Sequence, residues 1–229
     1  MQHLLLRVLS LLIFGFWAGL AHAQSASDNP FIALDCELTP PLALSYLPID
    51  PPQKSNNLRR KEGAGIVADG IYTQIKGVVL DRFCAPVSNA IVYLWQTDKA
   101  GHYKQYYTPQ SEWDIIDENF DENFGYSGTA RTNNRGEFYF LTIFPGSYDN
   151  RAPHLNVKVS HLDFDAFETQ IFFSHHPRNQ NDPVFSGLTT AQQSLLSAEG
   201  EPIDPAYRLN GRSYNVTITL DGENRFVRY

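Results

Sequence analysis

Tyr72-Thr73-Gln74-Ile75-Lys76-Gly77-Val78-Val79-Leu80 alternates in polarity and is rich in β-branched side chains. That is the pattern of a strand with one face turned to a core. Ala90-Ile91-Val92-Tyr93-Leu94-Trp95 predicts a second strand. Thr129 to Thr132 and Glu137 to Ile143 flank Asn133-Asn134-Arg135-Gly136, a turn sequence that predicts a hairpin. Leu155 to Ser160, Thr169 to Phe173 and Tyr214 to Leu220 bring the total to about seven short strands punctuated by Gly, Pro and Asn. This pattern predicts a mostly-β fold, an antiparallel or mixed β-sandwich. One short helix is expected over Thr189 to Ala198, with a Thr cap at its start and Gly200 as its stop.

Outside this region the composition changes. Arg7 precedes an apolar run from Val8 to Leu20, and Ala21-His22-Ala23 has the small-x-small form of a cleavage site. Residues 1–23 therefore read as an export signal with mature start near Gln24, implying a periplasmic or secreted protein. The run is shorter than the ~20 residues of a comfortable membrane span, so no stable membrane anchor is expected. Residues 24–65 form a Pro-rich extended arm with a mobile stretch near Ser55-Asn56-Asn57, and residues 66–229 form the β-domain. The formal charge is -7, and no Lys/Arg stripe exists to neutralise phosphates, which argues against nucleic acid as a partner. Cys36 and Cys84 are the only cysteines, and in an exported chain they most simply form one disulfide.

Three segments carry the chemistry: Gly101-His102-Tyr103, Pro145-Gly146-Ser147-Tyr148 and Arg151-Ala152-Pro153-His154-Leu155-Asn156. A phenol ionises only near pH ~10 in water, so a site with two of them suits a hard, strongly Lewis-acidic ion such as ferric iron. In a strand, residues i and i+2 share a face, so His154 and Asn156 point together and Leu155 points away.

These segments, in this order, resemble the intradiol ring-cleavage dioxygenases. The resemblance runs from about Gly77 to Pro183. It includes Gly77 to Asp81, Cys84 to Val87, Ala90 to Asp98 and Gly101 to Tyr103. Phe124-Gly125, Arg131 to Asn133, Gly136 to Phe140, Thr142 to Tyr148, Arg151 to Asn156 and Thr169 to Phe173 follow. The family is a β-sandwich carrying non-haem Fe(III) on two Tyr and two His. The resemblance implies Tyr103, Tyr148 and His154 as metal ligands, Tyr148 being the one that the substrate displaces, and Asn156, standing where the second His belongs, as a weaker fourth ligand through its amide oxygen. It implies Arg151 and Gln170 beside the substrate. The implied reaction opens a catechol-like aromatic diol with dioxygen to a muconate-type diacid.

Two other functions compete. Loss of the second His suggests a decayed binding or structural module of the same ancestry. The aromatics Tyr106, Tyr107 and Trp113 suggest a carbohydrate-binding sandwich. The acidic loop of Asp114, Asp117, Glu118, Asp121 and Glu122 lacks the Gly-centred spacing of a calcium loop and reads as a solvated lid.

Overall fold

The computed structural model describes residues 35–44, 47–48, 52–107, 115–116, 118–203 and 210–224, without side chains for 105–107 and 115–116. The export segment 1–23 lies outside the described residues. Among the described residues, eleven strands run in chain order. They are β1 (Leu47–Pro48), β2 (Tyr72–Leu80), β3 (Ile91–Trp95), β4 (Gln105–Tyr107), β5 (Ile115–Ile116), β6 (Ser127–Arg131), β7 (Glu137–Ile143), β8 (His154–His161), β9 (Phe164–Phe173), β10 (Ser197–Pro202) and β11 (Gly211–Thr219). Strand β2 has the bounds its alternation predicts. Among the described residues, no helix is long and apolar enough to cross a membrane.

Eight strands form one continuous sheet in the order β6-β3-β8-β9-β10-β11-β2-β7. Strand β10 makes the corner: Ser197 and Ala198 pair in parallel with β9, and Glu199 to Pro202 pair antiparallel with β11. The sheet thereby folds into a sandwich. Ile75, Val79 and Phe140 from one half share a buried core with Val92, Leu94, Leu155, Val157 and Ile171 from the other. At ~25 cal/mol per Å² of apolar surface, each of these buried side chains contributes on the order of 2 kcal/mol. Gly77 has no side chain of its own, and the ring of its cross-strand partner Phe138 fills the space where a Cβ would stand.

Three sequence expectations need correction. The turn at Asn133–Gly136 forms, with Gly136 N–H donating to Asn133 O at 2.9 Å, but β6 and β7 are not a hairpin. β6 pairs with β3 and β7 with β2, at opposite ends of the sheet order. Turn chemistry reports a local reversal and does not choose the partner strand. The helix, α1, covers only Thr190–Leu195, under a capping box between Thr189 and Gln192. Ser197 and Ala198, expected within it, belong to β10, where the ladder to β9 replaces helical bonds. Finally, Ser55 to Leu58 is not loose. Its carbonyls and amides bond both outer strands: Thr129 N–H to Ser55 O at 3.2 Å, Leu141 N–H to Asn56 O at 2.9 Å and Leu58 N–H to Leu141 O at 2.7 Å. This polar stretch is a strap that joins β6 to β7.

The Pro-rich arm makes a second strap. Thr39 N–H donates to Thr219 O on β11, and Leu42 N–H donates to Glu168 O on β9. Cys36 and Cys84 form a disulfide with Cα atoms 5.3 Å apart, holding the arm to the loop after β2.

Candidate metal centre

The site lies on the face of β3, β8 and β9 that turns away from the sandwich core. Register explains why. Trp95, Asn156 and Gln170 are directly paired across β3, β8 and β9, and His154 pairs with Phe172. Opposite residues in a ladder share a face. Leu94, Val157 and Ile171 fill the core beneath, so both faces of β8 are buried at this point.

The two tyrosines arrive from interlocked turns. Gly101, at φ +94°, lies so close to the next turn that a Cβ there would be 2.2 Å from Ser147 O. Asp98 joins the two turns. Its backbone carbonyl accepts from Gly146 N–H at 2.7 Å, while its carboxylate accepts from Ala100 N–H and His102 N–H at 2.9 and 3.0 Å. The Tyr103 and Tyr148 rings consequently meet edge to face with centroids 5.7 Å apart. Tyr148 is in turn 5.7 Å from the His154 ring, which lies 5.7 Å from Phe172. A bridge between Tyr148 and Arg151, with Arg151 N–H donating to Tyr148 O at 2.7 Å, brings the chain back toward His154.

His154 is set as a ligand would be. Its Nδ1 lies 2.7 Å from the Ala152 carbonyl, which can only accept, so the proton is on Nδ1 and Nε2 carries the lone pair. Nε2 is buried and has no hydrogen-bond partner. Burial, followed by the field of Arg151, lowers the imidazole pKa to about 4, so the ring is neutral near pH 7. A backbone-held Nδ1–H with an unshared lone pair on Nε2 is the usual arrangement of a metal-binding imidazole.

Arg151 and Asp182 form a buried ion pair, with Nε donating to Oδ2 at 2.9 Å. The same carboxylate accepts from Ala152 N–H at 2.8 Å, and its other oxygen accepts from Val184 N–H and Phe185 N–H at 2.8 and 3.0 Å. Burial alone would raise the Asp182 pKa, but the Phe185 and Ala152 amides and the Arg151 charge outweigh it and hold the carboxyl below its ordinary value. With Nε fixed, the rest of the guanidinium aims into the site: Nη2 donates to Gln170 Oε1 at 2.5 Å and Nη1 lies 3.4 Å from Tyr148 Oη.

Asn156 occupies the space between Gln170 and Tyr103. Gln170 Nε2 donates to Asn156 Oδ1 at 3.2 Å, and Asn156 Nδ2 donates to Tyr103 Oη at 2.9 Å and to Trp95 O at 3.3 Å. All of the site residues expected from sequence, namely Tyr103, Tyr148, Arg151, His154, Asn156 and Gln170, thus lie in one contiguous cluster. His102 turns away to the Asn119 carbonyl, and His161 lies at the far end of β8 against Phe164. Trp113 lies outside the described residues, as do the side chains of Tyr106 and Tyr107.

Sequence reasoning missed Asp182. Its only signal is Asn181-Asp182-Pro183, a loop tripeptide that marks a turn and nothing more. Among the described residues no three His, Cys, Asp or Glu side chains cluster as for a metal. A cation in this pocket needs the phenol oxygens. Two oxygen donors that charge on binding, with one neutral imidazole, fit a hard trivalent ion.

Comparisons with known proteins place the chain in a dioxygenase family. A family model described as Dioxygenase matches residues 45–222. A provisionally named dioxygenase of Rickettsia bellii is 36% identical over 151 residues, a match spanning 63% of this chain and 71% of that protein. The protocatechuate 3,4-dioxygenase beta chain of Burkholderia cepacia is 30% identical over 159 residues, covering 66% of this chain and 64% of that one. Among solved structures, the dioxygenase domain of a dioxygenase and carbohydrate-binding fusion from Streptomyces sp. SirexAA-E superposes with a TM-score of 0.61 at 24% identity, covering 82% of this chain and 100% of that one. That likeness is one of fold.

Proposed function

The chain belongs to the intradiol ring-cleavage dioxygenase family, and on that premise we propose that it opens a catechol-like aromatic diol with dioxygen, using non-haem Fe(III) in the pocket of Tyr103, Tyr148 and His154. The carbon–carbon bond between the two hydroxyl-bearing carbons breaks, and both atoms of dioxygen enter a muconate-type diacid. Atoms and electrons balance with diol and dioxygen alone, so no external reductant is required. The observation that carries this reading is the buried, unpartnered Nε2 of His154, whose ring packs against Tyr148, which in turn packs against Tyr103.

When bound, ferric iron supplies Lewis acidity toward the diol oxygens. The residues of the chain do the rest. The Ala152 carbonyl fixes the His154 tautomer. Arg151, anchored by Asp182, holds a permanent positive charge beside the Tyr148 oxygen, where negative charge from a ring-opening substrate would be stabilised electrostatically. Gln170 carries the same guanidinium on its amide oxygen and keeps its plane fixed. Trp95 and Tyr148 pack with Tyr103, and Phe172 packs against His154; these apolar surroundings suit an aromatic substrate and strengthen local charge interactions. Export through residues 1–23 is part of the proposal, and the Cys36–Cys84 disulfide supports an oxidising compartment.

Purified protein loaded with ferric iron is expected to show a visible tyrosinate-to-iron charge-transfer band that Tyr103→Phe removes or shifts strongly. Oxygen uptake with a panel of catechols then reads turnover. A second reading, a family member retained as a binding module, is favoured by the amide at position 156. It predicts a colourless protein that consumes no oxygen with any diol.

A further inference from the structure

The hydrogen bonds around Asn156 have a direction that can be worked out from both ends. Arg151 is a donor only, so the Gln170 atom that it meets must be Oε1. That orientation turns Gln170 Nε2, a donor only, toward Asn156, so the Asn156 atom that it meets must be Oδ1. The opposite end agrees independently. The Trp95 carbonyl is an acceptor only, so the Asn156 atom that meets it must be Nδ2. Two one-way groups, a guanidinium and a backbone carbonyl, thus orient both amides, and neither can be flipped without setting donor against donor and acceptor against acceptor. The chain of bonds ends with Asn156 Nδ2 donating to Tyr103 Oη at 2.9 Å. Every member except Tyr103 is at most 6% exposed, and Tyr103 is 7% exposed, so water competes little for these bonds.

We propose that Asn156 is a hydrogen-bond donor to the Tyr103 oxygen and not a metal ligand, so that ferric iron in this pocket is held by three side chains, Tyr103, Tyr148 and His154. The proposal rests on the reading of the site given above. To serve as a ligand, the amide would have to present Oδ1 to the metal, and that oxygen is already turned to Gln170 and held there from both sides. Donation to Tyr103 Oη leaves that oxygen as an acceptor, the role it keeps when it binds a cation as phenolate. Asn156 is therefore a positioning residue: it substitutes a bond to a ligand for a bond to the metal.

A substitution separates the two roles by sign. Asn156→Asp keeps the shape, turns both side-chain positions into acceptors and adds a negative charge. If residue 156 bonds the metal, the anionic oxygen strengthens the site. If it donates to Tyr103, the carboxylate opposes both the Tyr103 phenolate and the Trp95 carbonyl. Ferric iron retention, measured by competition with a hydroxamate chelator, is expected to weaken at least tenfold in Asn156→Asp. Equal or tighter retention would overturn the proposal. A second measurement needs no metal: a thermal-melting cycle of Asn156→Leu, Tyr103→Phe and the double variant in chelator-treated protein. The double variant is expected to lose less than the sum of the single losses, because each single change already breaks the shared bond. Additive losses would refute the bond. A wild-type protein that takes up no ferric iron refutes the reading of the site and the non-ligand half of this proposal with it, while the metal-free cycle still decides the other half.

Discussion

Gly101 and Gly146 pack backbone against backbone: a Cβ on Gly146 would stand 2.3 Å from Gly101 N and 2.6 Å from Lys99 O. Backbone atoms cannot step aside as a flexible side chain can. The turn that delivers Tyr103 and the turn that delivers Tyr148 are therefore held in one relative position. Gly146→Ala is expected to cost about 1–3 kcal/mol by overpacking. It should also lower ferric iron retention, because it separates the two tyrosines. Urea denaturation and metal analysis of the same preparation check both outcomes.

Asp182 holds Arg151 and the start of β8 together from a fully buried position. Asp182→Asn removes the charge that balances a buried guanidinium and should cost about 3 kcal/mol, the lower end for breaking one side of such a pair. The pH dependence has a defined sign. Because the folded-state pKa lies below the ordinary value of 3.8, the stabilisation is complete above that value and disappears as pH falls through the folded pKa. Acid denaturation should therefore be shallower in Asp182→Asn than in the wild type.

His154 has the opposite charge type and a wider window. In the unfolded chain it takes a proton near pH 6.5, whereas in the folded chain it stays neutral down to about 4. Between those values the unfolded state binds more protons, so the metal-free protein loses stability as pH falls. The slope from this one group is at most about 1.4 kcal/mol per pH unit. His154→Gln should remove that component of the slope, as measured by denaturation in the presence of chelator from pH 7 to pH 4.

Arg151 makes three directed bonds, to Asp182, Gln170 and Tyr148. A lysine ammonium can reach one or two of these partners but cannot reproduce the planar fork. Arg151→Lys is expected to retain ferric iron and to lose about 10²–10³ in kcat/KM with a catechol, in the range seen when one charge-stabilising group is removed. Steady-state oxygen uptake beside the visible spectrum separates loss of turnover from loss of metal.

The Cys36–Cys84 disulfide spans 48 residues of sequence. Chain entropy alone assigns a loop of that length ~4 kcal/mol. Replacing both cysteines with serine should lower the denaturation midpoint accordingly and free the arm from the loop after β2. Limited proteolysis is expected to cut first within residues 37–70 of that variant.

The core strands were legible because their information is local. Alternation across Tyr72 to Leu80 states which side chains face inward without reference to any other part of the chain, and β2 begins and ends where it says. The strand around His154 likewise set His154 and Asn156 on one face by the two-residue period of extended backbone. Strand partners are a different matter. Asn133 to Gly136 is a good turn wherever the flanking strands go, and they went to opposite ends of the sheet. Ser197 and Ala198 continue a helical pattern on paper, yet the unpaired edge of β9 drew them into a ladder.

The sequence alone determined a β-protein and one disulfide and singled out six residues that the fold gathers in one cluster, because residue type, spacing and order are properties of the chain itself. The tertiary structure decided what Asn156 does. From the chain, an amide at that position could turn its oxygen or its nitrogen toward Tyr103. Only the folded arrangement brings a guanidinium to one end and a carbonyl to the other, and those two one-way hydrogen-bonding groups choose the nitrogen.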